Sequence, residues 1–168
     1  MPISGVFDQW LFWLRSKNRH GVHSPFIYGF LDKGLYGAHL EKSPVQTKLL
    51  RASLEYFKPD RVGVAGTPPP DSPLGQLLMK ETLGALPPYD FFIFETPSES
   101  VDTFLSDRGN WHNDSIVYIG NLRVSPSGYK RWGEIKAHPS VRVVLETYWG
   151  GLLLFRREQA REHFRIRT

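Results

Sequence analysis

The sequence predicts an α/β domain, and three observations carry the prediction. Helical periodicity fills about the first sixty residues; from Arg61 short apolar runs alternate with helical patterns; and two closing apolar runs are joined by Gly150-Gly151. At 168 residues the chain suits one domain burying roughly 70% of its unfolded surface.

The elements follow in order. Val6, Phe7, Trp10, Leu11 and Leu14 recur at helical spacing within Val6 to Asn18, which predicts an amphipathic helix with an aromatic face that packs onto something. Ser24-Pro25 reads as an N-cap followed by proline at the first helical position, opening a helix with Phe26, Ile27, Phe30, Leu31 and Leu35 on its apolar side. Ser43-Pro44 repeats the signal for a third helix that ends before Lys58-Pro59. Val62 to Ala65 is the first strand, and Gly66 to Ser72, with three consecutive prolines, is a rigid loop before a helix over Pro73 to Leu83. Asp90 to Glu95 is a strand, Glu99 to Leu105 a helix and Ser115 to Ile119 a strand. Ser125-Pro126 opens a helix that ends near His138-Pro139. Val141 to Leu145 and Leu152 to Phe155 are strands, and their short connection requires them to be antiparallel. Phe164 and Ile166 alternate with Arg165 and Arg167, which adds an edge strand. Residues 1–60 form a helical extension and 61–168 the α/β part, packed as a single unit.

Composition excludes several classes. With no cysteine there is no disulfide, thiolate nucleophile or Cys-ligated metal. No apolar run approaches the roughly 20 residues of a membrane-spanning helix, and the N-terminus lacks the pattern of a secretory signal, so a cytoplasmic location without membrane attachment is expected. Net charge is +4, divided as eight bases and five acids over residues 1–60, three and eight over 61–120, and ten and four over 121–168. The sharpest basic cluster is Arg156, Arg157, Arg161, Arg165 and Arg167. Nucleic acid is its obvious partner, but Glu158 and Glu162 lie at pairing distance and aromatic interleaving stops at Phe155 and Phe164, so nucleic-acid binding is not expected. His20 and His23 stand three residues apart without an acidic pair nearby, and Gly21 between them makes a turn, so hydrogen bonding rather than metal ligation is expected. Arg19, His20 and His23 are the candidate residues for a substrate or partner.

The stretch Lys17-Asn18-Arg19-His20-Gly21-Val22-His23-Ser24-Pro25-Phe26 resembles the N-terminal signature of a group of class I S-adenosylmethionine-dependent methyltransferase-like proteins, a Bacteroidetes-type bacterial group. Trp132-Gly133-Glu134-Ile135-Lys136, Gly150-Gly151-Leu152 and Glu162-His163-Phe164-Arg165-Ile166-Arg167 resemble its C-terminal part. The resemblance covers roughly the first sixty and last fifty residues and leaves the middle unmatched. It implies a helical extension before a Rossmann-like sheet whose last hairpin is antiparallel. The family's seven strands do not fit this length. The passage from Leu83-Gly84-Ala85-Leu86 to Tyr89-Asp90-Phe91 implies that the second and third βα units, with the acid that would hold the cofactor ribose, are missing; about five strands remain.

The expected cofactor loop is altered too. A glycine-rich turn lets the backbone approach the cofactor and aims N–H groups at its carboxylate. Here Gly66 and Thr67 are the remnant, followed by prolines that donate nothing and by Asp71. Glu95, at the end of a strand, is the one acid placed for catalysis, because ligands of open α/β sheets lie beyond strand carboxyl ends. Gly120-Asn121-Leu122-Arg123 supplies no carboxylate base. The expectation is therefore a degenerate methyltransferase-like pseudoenzyme without bound cofactor or metal, acting as a binding module for a protein partner or for a second copy across the exposed flank of the first strand. That flank is to be covered by the N-terminal helices or by the second copy. The alternatives are an active methyltransferase using S-adenosylmethionine in a pocket rebuilt around Gly66, Thr67 and Glu95, and an accessory nucleic-acid-binding protein.

Overall fold

The computed structural model describes residues 6–16, 22–78 and 85–168, and they form a three-layer α/β/α arrangement. Six α-helices are present among the described residues: α1 Val6–Arg15, α2 Pro25–Phe30, α3 Lys48–Phe57, α4 Pro73–Leu78, α5 Glu99–Ser106 and α6 Pro126–Lys136. The described residues also form six strands, β1 Val62–Val64, β2 Tyr89–Phe94, β3 Trp111–Ile119, β4 Val143–Glu146, β5 Gly151–Leu154 and β6 Glu162–Arg165. They make one mixed sheet in the order β1-β2-β3-β5-β4-β6. β1, β2 and β3 are parallel neighbours, β5 runs antiparallel between β3 and β4, and β6 adds parallel to β4. The predicted hairpin and C-terminal edge strand are both present.

Alternation along each strand divides the core. Phe91, Ile93, Ile116, Tyr118, Val143, Leu145, Leu152, Leu154 and Phe164 share one cluster with Ile27, Phe30, Leu31, Leu35, Leu49, Leu50, Leu74 and Leu78. Phe94, Val117, Ile119, Val144, Leu153 and Phe155 share the other with Val101, Phe104, Leu105, Trp132 and Ile135. α2 to α4 thus cover one face of the sheet, and α5 and α6 the opposite face. With both faces covered, the strands read as unbroken apolar runs. Of the N-terminal helices, α2 and α3 take up a face of the sheet.

Three local departures have physical causes. Ser24 caps α2 as expected, accepting from the Ile27 N–H at 3.5 Å, but the helix widens into a π-turn over Leu31–Leu35 before stopping at Tyr36. Ser43 caps nothing: Arg51 Nη1 donates to its hydroxyl at 3.4 Å, a turn closes from Thr47 N–H to the Pro44 carbonyl, and α3 starts only at Lys48. In α1, Val6 is 87% exposed and Trp10, Trp13 and Leu14 about half exposed, so much of its apolar surface stays open to solvent.

The connections differ in hand. β1 to β2 and β2 to β3 step in the same direction across the sheet, yet α4 lies on one face and α5 on the other. The β1–α4–β2 crossover is therefore opposite in hand to β2–α5–β3 and to β3–α6–β4, whose helices share a face. Parallel crossovers are right-handed in about 98% of cases, which marks the first connection as exceptional.

Candidate functional site

The carboxyl ends of β1 to β4 all point to one edge of the sheet, where open α/β folds place their ligands. Beyond β1 to β3 lies a cavity of about 120 Å³ lined by Gln46, Thr47, Ser72, Pro73, Leu74, Glu95, Tyr118, Gly120 and Asn121. Small-molecule sites span roughly 300 to 1,000 Å³, so this space is small for a nucleoside cofactor. Glu95 lines it. Asn121, in the left-handed region at φ 47°, donates from Nδ2 to the Glu95 carbonyl at 3.1 Å and ties the ends of β2 and β3 together. Burial pushes the Tyr118 hydroxyl well above its ordinary pKa, so it stays protonated.

Gly66 turns the chain with φ +75°, as the end of a tight loop requires, but Gly66 and Thr67 are exposed and stand outside this lining. The prolines fold back over the start of α4. Ser72 caps that helix, accepting from the Gly75 N–H at 2.9 Å and donating to the Pro69 carbonyl at 2.7 Å. A Cβ on Gly75 would sit 2.0 Å from the same carbonyl oxygen. The first turn of α4 is thus occupied by the protein's own Pro69 and Ser72.

Beyond β3 and β4 the edge is closed by charge and by α1. Glu146 ends β4 fully buried, and three donors converge on it: Arg123 Nη2 on Oε1 at 2.9 Å, Lys136 Nζ on Oε2 at 3.0 Å and His163 Nε2 on Oε2 at 2.9 Å. Burial alone would raise the pKa of this carboxyl. The His163 hydrogen bond and the Lys136 and Arg123 charges outweigh it and hold the group ionised far below the usual range. Arg123, also buried, donates to the Tyr148 carbonyl at 2.6 Å, while the rings of Phe12, Tyr129 and Tyr148 stand 4.6 to 4.8 Å from its guanidinium carbon. Phe12 belongs to α1. Arg167 stacks on Trp13 at 4.2 Å and donates from Nε to the Ser16 carbonyl at 3.1 Å, fixing the same helix a second time.

Sequence reasoning missed this network because it ended the strand at Leu145, one residue short. The legible signal was an acid closing an apolar run in a sheet covered on both faces, which demands buried cationic partners. In the sequence Arg123 stands out only as part of Gly120-Asn121-Leu122-Arg123, which carries no carboxylate. The C-terminal arginines do not form one patch: Arg156 pairs with Glu158 at 2.9 Å and stacks on Phe26, whereas Arg167 is engaged with α1. Arg19 and His20 lie outside the described residues, and His23 is exposed.

Two larger cavities, each about 310 Å³, lie elsewhere. One is a groove between α3 and α4. The other, at the amino ends of the strands, contains Asp90 and His112, with Nε2 2.8 Å from Oδ1. His112 Nδ1 accepts from the Asp114 N–H at 3.2 Å, so both ring nitrogens are engaged. Burial raises the Asp90 carboxyl, but hydrogen bonds from His112 and the Arg61 N–H outweigh this and lower its pKa. Among the described residues no group of three or more His, Asp or Glu side chains could hold a metal ion, and no helix is long and apolar enough to cross a membrane. No protein-family model, curated protein or solved structure matches this chain.

Proposed function

We propose that this protein is a shortened, methyltransferase-derived α/β domain that has lost S-adenosylmethionine binding and works as a binding module. The observation that carries the reading is the filled ligand edge: Pro69 and Ser72 occupy the first turn of α4, the space beyond β1 to β3 is about 120 Å³, and α1 closes the edge beyond β3 and β4. Strand order supports the derivation. Removing the second and third strands from a doubly wound 3-2-1-4-5-6 sheet leaves strands one, four and five as parallel neighbours, the relation of β1, β2 and β3. The reversed hand of the β1–α4–β2 crossover fits the same loss. In the complete order the chain leaves strand one over one face and enters strand four over the other; excising the units between joins them by a connection of the rare hand. A binding role is supported by the exposed apolar surface of Val6, Trp10, Trp13 and Leu14 on α1, and the outermost position of β1 leaves a strand edge on which a second copy can pair.

Calorimetric titration with S-adenosylmethionine and S-adenosylhomocysteine tests the loss. The expected result is no saturable heat at about 1 mM ligand. Saturable micromolar binding would overturn the reading and make Glu95 and Gly66 the residues to substitute first.

A further inference from the structure

Between the end of α6 and the outer strands β4 and β6 lies a cavity of about 150 Å³ lined by Lys136, Val141, Arg142, Val144, Arg161, Glu162 and His163. We propose that this cavity is a site for a phosphate group, held by Lys136, Arg142 and Arg161. The proposal is independent of the lost cofactor site, which lies beyond β1 to β3.

Three observations carry it. Charge comes first: three permanent cations line the cavity against one carboxylate, and strand alternation places Glu162 on the side of Phe164, opposite His163. Lys136 already answers Glu146 and the carbonyl end of α6. Arg142 and Arg161, however, pair with no carboxylate among the described residues; Arg161 donates Nη2 to the His138 carbonyl at 3.3 Å. Preorganisation comes second. Glu146 holds Lys136 Nζ and His163 Nε2 at 3.0 and 2.9 Å from one oxygen, so both groups are fixed before a ligand arrives, and Val141 and Val144 form a buried apolar wall behind them. Size comes third. The volume admits one tetrahedral oxyanion with its waters, and a guanidinium presents paired donors that match two phosphate oxygens.

Two sources share this chemistry, a terminal phosphate monoester and the phosphodiester backbone of a nucleic acid. The test titrates the full chain, at fixed ionic strength, with inorganic phosphate, then with a short oligonucleotide carrying or lacking a 5′-phosphate, while backbone amide NMR shifts are followed. The expected result is saturable movement of the Val144 and His163 amides with phosphate, weakened at least about tenfold in Arg142→Ala/Arg161→Ala, whose two sites are exposed and whose thermal midpoint stays unchanged. Competition only by the 5′-phosphorylated oligonucleotide identifies a monoester. Competition by both oligonucleotides with a steep salt dependence identifies the backbone. Absence of saturation at about 10 mM phosphate, or binding that the double variant leaves intact, overturns the proposal.

Discussion

Replacing Glu146 by Gln removes the one negative charge on which Arg123, Lys136 and His163 converge. The carboxylate is fully buried, and the Arg123 side chain is 5% exposed and that of Lys136 17%, so water can hydrate neither cation fully once the charge is gone. Deleting one partner of a buried ion pair costs about 3 to 5 kcal/mol, because the remaining charge stays buried and uncompensated. Glutamine retains an oxygen for Arg123 but turns its amide hydrogens toward donors on Lys136 and His163, where they have no acceptor. For a domain of this size each kcal/mol lowers the midpoint by about 2 to 4 °C, so a fall of about 6 to 20 °C is expected. Urea unfolding followed by tryptophan fluorescence measures the loss directly, with an unchanged m-value showing that the same surface is exposed. Arg123→Met and the double variant complete a cycle, in which the two single costs exceed the double cost by about 1 to 3 kcal/mol. A loss below about 1 kcal/mol in Glu146→Gln, or strict additivity, would refute the claim that this network holds α1 and the ends of β3 and β4 together.

Acid provides a second test of the same group. The folded Glu146 carboxyl is held below its unfolded value of about 4.3, so its contribution is complete above that pH and is lost as pH falls toward the folded value, when the unfolded chain takes up the proton first. Between about pH 4 and 2, Glu146→Gln should therefore lose stability less steeply than the natural sequence, by up to about 1.4 kcal/mol per pH unit, and equal acid sensitivity in urea midpoints would contradict it. Gly75→Ala places a methyl group 2.0 Å from the Pro69 carbonyl oxygen and should cost about 1 to 3 kcal/mol while shifting the NMR signals of Gly66 and Ser72; full retention of stability would mean the loop does not press on α4.

Much of the architecture is legible in one dimension because it depends on short-range periodicity. The β2 run Tyr89–Phe94, the Ser125-Pro126 start of α6 and the forced antiparallel pairing of β4 and β5 are decided by local residue order. Ser24 caps its helix as written, yet the equally good signal at Ser43 is overridden when Arg51, one helical turn inside α3, takes the serine hydroxyl. The open apolar surface of α1 shows the same limit, since periodicity finds an apolar face without saying which residues meet a partner. Position across the sheet is decided only in three dimensions. β5 inserts between β3 and β4, which brings Arg123, Lys136, Glu146 and His163 within hydrogen-bond reach although they are spread over forty residues of sequence. The C-terminal arginines, clustered in sequence, are pulled apart by the same topology to Phe26, Trp13 and the cavity beside β6. Residue order determined which segments are helix and strand, because hydrogen bonding and side-chain alternation act over a few residues. Which charges are buried together was decided by strand order, because Coulomb energy and desolvation depend on distances that only the folded sheet sets.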